Sequence, residues 1–152
     1  MWFPILKWIH VLAAIIAVGG NAMYGLWIRR ATRDPKVLPF VLQNIAWIDR
    51  CVANPCYAVL LVTGLSMALT VPIPLTTPWL ITAIVLYLIA ALLGIFVYAP
   101  VARRQRRVLE VEGFESPTYS AIARRSASLG MIVTIVVLLI VFLMVVKPSL
   151  WG

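Results

Sequence analysis

Lys7, His10 and Asn21 are the side chains in this sequence best suited to ligate, bind or move a proton, and they lie in a stretch that otherwise reads as lipid-soluble. Neutral imidazole is the commonest metal-binding side chain and it also binds haem iron. A lysine near it suits proton or cation handling within a membrane. Lys7, His10, Ala14, Ala17, Asn21 and Tyr24 step by three or four residues, which places them on one stripe of a helix. The two alanines leave room between the polar groups, so the stripe reads as a pocket lining. Polar groups are costly in hydrocarbon, and the short Asn21 side chain cannot reach the interface as Lys7 can. His10 and Asn21 are therefore expected to face inward, beside a cavity bordered by Ala14 or Ala17 and open toward the outside. Three roles stay open for His10: hydrogen bonding across the bundle, ligation of haem or a metal, and proton or cation handling with Lys7.

The elements that must hold this stripe follow from composition. The chain has 152 residues, 63% hydrophobic and 12% charged, against about 45–50% and about 25% in soluble domains. Its mean hydropathy is +1.02. The apolar residues fall in four blocks, 8–28, 51–69, 79–99 and 129–146, each near the 17–25 residues that cross a bilayer. The expected fold is an all-α membrane protein, one domain over residues 1–152, with four transmembrane helices in an up-down-up-down bundle. The nine-residue turn from Thr70 to Pro78 is expected to keep the second and third spans in contact.

Charge sets the expected orientation. Eleven of the 13 Lys and Arg residues lie in two segments, Arg29 to Arg50 and Arg103 to Arg125. Basic residues near membrane ends favour the cytoplasmic side, so the first and third connections are expected there, with both termini outside. Trp2, Trp8, Trp79 and Trp151 at one end and Trp27 and Trp47 at the other match interfacial belts. The arginines follow the first apolar run instead of preceding it, which argues for a retained helix and not a cleaved signal. The net charge of +8 thus reads as topology and attraction to anionic lipid, with no nucleic-acid partner, since no aromatic-basic interleaving accompanies it. The bilayer is the expected partner, in a bacterial-type inner membrane.

Local signals fill in the connections. Val37, Val41, Ile45 and Ile48 have helical spacing that suits a segment along the inner membrane surface. Pro55 should kink the second span. Gly113 can end an extension of the third span, and Ser116-Pro117 reads as an N-cap and first-turn proline opening a fresh helix. Gly64/Ala68, Ala90/Gly94 and Gly130/Thr134 are small-residue pairs suited to close helix approach, within the chain or in a homo-oligomer or membrane complex. Tyr57, Tyr87 and Tyr98 place hydroxyls in the bundle or at its rim. Cys51 and Cys56, about 140° apart on a helix, read as packing residues.

Conventional enzyme machinery is missing. The sequence has one His, no Gly-rich phosphate loop and no nucleophile elbow. No carboxylate falls in a predicted span, and Asp34, Asp49, Glu110, Glu112 and Glu115 read as partners of nearby arginines. A non-catalytic accessory, scaffold or small-molecule-binding protein is the leading expectation, and a haem-b-binding membrane redox protein using His10 is the alternative.

The opening Lys7-Trp8-Ile9-His10, the Gly19-Gly20 pair, Gly64, and the closing Met144-Val145-Val146-Lys147-Pro148 resemble the predicted integral membrane proteins of domain of unknown function 2269. More distantly, the K-x-x-H opening is similar to copper-resistance D type proteins and to the HemJ-type membrane protoporphyrinogen oxidase. That second resemblance implies His10 as an axial ligand of haem b and aligns Gly20 with a glycine ten residues further along. Ala17 stands where the oxidase type has Trp, Leu26 where it has Arg, and the third span lacks a Lys. The oxidase's second ligand and catalytic residue are therefore absent. On the bare sequence, Met23, Met67, Met131 or Met144 would have to supply a second ligand.

Overall fold

A computed structural model describes residues 2–71 and 74–149, and among these every regular element is helical. The elements are α1 (Trp2–Ala31), α2 (Leu38–Ile48), α3 (Asn54–Thr70), α4 (Pro78–Leu92), α5 (Ala99–Glu112) and α6 (Pro117–Val146). They form four rods long and apolar enough to cross a membrane: Trp2–Ala31, Leu38–Thr70, Pro78–Glu112 and Pro117–Val146. The rods hold 30, 33, 35 and 30 residues, against about 20 needed for a bilayer. All four apolar blocks lie inside longer helices.

Two rods change register without breaking. A π-helical turn at Asp49–Ala53 joins α2 to α3, and the Asn54 N–H reaches back to Asp49 O. A second at Leu93–Tyr98 joins α4 to α5, and the Ala99 N–H bonds to Gly94 O. Each turn ends just before a proline, Pro55 or Pro100. Proline lacks an N–H, and its ring collides with the carbonyl four residues back in a regular helix. A widened turn relieves both problems, so the expected kink at Pro55 takes the form of a π turn.

Val37 to Ile48 does not form a separate surface helix, contrary to the amphipathic reading. α2 runs straight into the second rod, and its apolar face meets protein. Leu38, Leu42, Ala31, Val108, Leu109 and Tyr119 make one buried cluster, with Ile28, Phe114 and Ile122 packed against it. The end of α1, α2, α5 and the start of α6 thus share a small core of their own. The spacing was helical as expected, but it could not tell a lipid face from a protein face.

Packing elsewhere is pairwise. α1 lies on α3, α4 on α6, α5 on α6, and α1 also meets α6. The second and third spans stay in contact as expected, though not through closely packed backbones. Among the described residues no Cα of α3 comes within 8 Å of one in α4. The two helices are linked instead by the Tyr87 hydroxyl, which donates to Tyr57 O at 2.8 Å. A tyrosine reaching across keeps the axes wider than the ~8–10 Å of intimate helix packing. At the far end, Lys147 Nζ lies 5.3 Å from the Trp79 ring centre, joining the close of α6 to the start of α4.

Connections behave as the sequence indicates. Gly113 closes α5 at φ +82, a conformation that L side chains rarely adopt. Ser116 caps α6, its Oγ accepting from Thr118 N at 3.1 Å and Tyr119 N at 3.4 Å. The Ser116 hydroxyl in turn donates to Glu112 Oε2 at 2.6 Å, and these hydroxyl contacts hold the exposed Glu112 carboxyl below its ordinary range.

Candidate functional site

The stripe on α1 packs against α3 along much of its length. Thr63 Oγ1 donates its single proton to Val59 O at 2.6 Å, so it accepts from His10 Nδ1 at 2.8 Å. In that arrangement Nδ1 carries a proton. Gly64 makes the approach feasible. A Cβ at that position would stand 3.1 Å from His10 Cε1, closer than a side chain comfortably sits. About three turns further along α1, the Asn21 side-chain nitrogen donates to the Tyr57 hydroxyl. His10 meets residue 63 and Asn21 meets residue 57, so contacts on the two helices run in opposite chain directions.

The other stripe residues divide. Lys7 is exposed, Ala14 is half-buried, and Ala17 and Tyr24 are buried, with Ala17 at 0% exposure. A small cavity with polar walls does not border Ala14 or Ala17. It lies toward the opposite end of α1, measures about 30 Å³, and is lined by Asp49, Tyr98, Gln105, Arg106 and Ser126 together with apolar side chains such as Ile45.

Sequence reasoning missed this second polar cluster. The first π turn brings Asp49 into the cavity wall, and the second ends at Tyr98, which reaches the same space. Asp49 faces Tyr24 and Arg106, and Tyr57 and Tyr98 lie within its field. Gln105 and Ser126 are buried at 5% and 7% exposure. The Tyr98 ring rests on Gly130 of α6, where a Cβ would make an ordinary 3.6 Å contact. Asp49 is thus no mere partner of loop arginines. Pro55 and Pro100 mark the two places, but the changed register itself has no local sequence signal.

A polar track results. His10–Thr63 leads it, Asn21–Tyr57–Tyr87 follows, and Tyr24, Asp49, Tyr98, Gln105 and Arg106 close it. Cys51 is exposed and Cys56 half-buried, both as free thiols. No group of three or more His, Cys, Asp or Glu able to hold a metal is found among the described residues.

Haem fits these residues poorly. The Nδ1–Cε1 edge of His10 lies flush on Thr63 and Gly64, which leaves only Nε2 to ligate. Met23 and Met131, two of the methionines considered for a second bond, stand 45% and 63% exposed. The polar cavity of about 30 Å³ is far below the ~300–1,000 Å³ of cofactor pockets, and His10 does not line it.

No curated protein and no solved structure matches the chain. A family model does, over residues 4–148, and its description is "predicted integral membrane protein". With that match covering nearly its whole length, the chain belongs to the family of predicted integral membrane proteins known as domain of unknown function 2269.

Proposed function

We propose that this is a non-catalytic, multi-pass protein of the bacterial inner membrane, an accessory or binding unit with an up-down-up-down bundle and both termini outside the cytoplasm. One observation carries the non-catalytic reading. The polar groups best placed for chemistry help hold α1 to α3, His10 through Nδ1 on Thr63 and Asn21 through Tyr57. Hydrogen bonds of this kind satisfy polar groups that hydrocarbon would leave unpaired. What is left for small polar species lies in the interior, along the track and its cavity, with Ala14, Ala17, Asn21 and Tyr24 on its α1 side and the exposed Lys7 at its outer end. Support for an accessory role comes from open small-residue faces. A Cβ on Gly19, Gly25 or Gly94 would meet nothing within 4 Å, which leaves these faces for partner helices.

The test is spectroscopic and thermal together. Detergent-purified protein should lack a Soret band and stoichiometric iron or copper. His10→Ala and Asn21→Ala should each lower the unfolding midpoint, as lost packing requires. A Soret band in the wild type that His10→Ala abolishes would overturn the reading and restore the redox alternative.

A further inference from the structure

We propose that the cavity beside Asp49 is an internal water-binding site, and that one of its waters bridges the Asp49 carboxylate to the buried Tyr24 hydroxyl. Two independent observations converge. The first is space with polar walls. A cavity holds a water from roughly 10–15 Å³ upward, given two to four polar partners. This one measures about 30 Å³ and presents Asp49, Tyr98, Gln105, Arg106 and Ser126, so it has room for about two. The second is an orphaned hydroxyl. Tyr24 is 7% exposed, and its hydroxyl is buried with no hydrogen-bond partner. A buried, unpaired hydroxyl is destabilising, and a bridging water removes that cost.

Asp49 connects the two. It lines the cavity and lies close to Tyr24, whose hydroxyl makes no hydrogen bond of ordinary geometry to it. The titratable groups around it come from four elements: Tyr24 on α1, Tyr57 on α3, Tyr98 at the end of the second π turn, and Arg106 on α5. Arg106 makes a bare cation an unfavourable occupant, whereas water both donates to the carboxylate and accepts from the guanidinium. Occupied, the site continues the polar track from the arginine-rich end of the bundle to Asn21 and Tyr57, and it does so whether or not the protein has partners or ligands.

Radiolytic hydroxyl-radical labelling of the full chain in nanodiscs, read by mass spectrometry, tests the site, because buried side chains are oxidised where bound water supplies the radical. Tyr119 is buried in the apolar cluster and serves as the dry reference. In the wild type, Tyr24 and Tyr98 should label several-fold faster than Tyr119. Ser126→Leu places an apolar side chain in the cavity and should slow both, with Tyr119 unchanged. Equal, slow labelling of all three tyrosines in the wild type overturns the proposal, and labelling of Tyr98 without Tyr24 overturns the bridge. If Ser126→Leu unfolds, Tyr119 will speed up with the others, and the wild-type ratio decides alone.

Discussion

Gly64 and Gly130 are both small residues facing a ring, yet their surroundings differ in a way that can be measured. A Cβ on Gly64 would come to 3.1 Å from His10 Cε1, and the ring is pinned by its 2.8 Å bond to Thr63. Gly64→Ala should therefore destabilise the fold by about 1–3 kcal/mol, the usual cost of overpacking. Gly130→Ala meets Tyr98 at an ordinary 3.6 Å and gains helix propensity, so it should stay within about 0.5 kcal/mol of the wild type or exceed it. Unfolding in mixed micelles checks both. In a His10→Ala background the Gly64→Ala penalty should vanish, and an undiminished penalty would mean that the ring is not what the glycine accommodates. A second cycle, Asn21→Leu with Tyr57→Phe, should return a coupling of about 0.6 kcal/mol, typical of bonds between membrane helices. His10 and Asn21 were legible because polar residues at helical spacing in an apolar run have few places to go. Asp49 was not, because its one-dimensional neighbours are arginines and only a change of helical register turns it inward.

At the scale of elements, the sequence shows best where helices end. Gly113 and Ser116-Pro117 announce the α5–α6 break, and the structure uses both, with Ser116 bonded to two backbone N–H groups and to Glu112. Ser116→Ala should cost about 1 kcal/mol, as lost N-caps do, read as a lower denaturation midpoint. Glu112 adds a pH dependence of definite sign. Its carboxyl is held below the ordinary range by Ser116 and then Thr118, so its contribution is full above the unfolded-state pKa. That contribution fades as pH falls through the lower folded-state value. Glu112→Gln should flatten the acid limb of the stability profile, and an unchanged limb would show that this contact is not coupled to folding. The π turns mark the opposite case. A proline reveals where a helix needs relief but not whether it bends, breaks or widens. α2 shows a related limit: Leu38, Leu42 and Ile45 repeat at helical spacing whether the face they make is covered by lipid or by α5 and α6.

For the whole molecule, the rods are longer than a bilayer and the excess is concentrated at one end. At 1.5 Å per residue the third rod, of 35 residues, runs about 50 Å against a hydrocarbon core of about 30 Å. The surplus of the second and third rods, α2 and most of α5, packs with the start of α6 into the small core around Leu38, Val108 and Tyr119. That end carries Arg29, Arg30, Arg33, Lys36, Arg50 and the arginines from 103 to 125. A helical cap with its own core, crowded with basic residues, is expensive to move across a membrane, so it should remain cytoplasmic. The Pro-rich turn with Thr76 then faces outward, and Ser116 lies inside. The experiment starts from Cys51→Ala/Cys56→Ala, because Cys51 is exposed, and adds single cysteines by Thr76→Cys or Ser116→Cys. An impermeant maleimide applied to intact cells should label the first variant and spare the second until the membrane is opened. Labelling only at position 116 would invert the protein and break the link between its basic cap and the cytoplasm. Labelling at both positions in intact cells would mean that the two connections share one face, which no up-down-up-down arrangement allows.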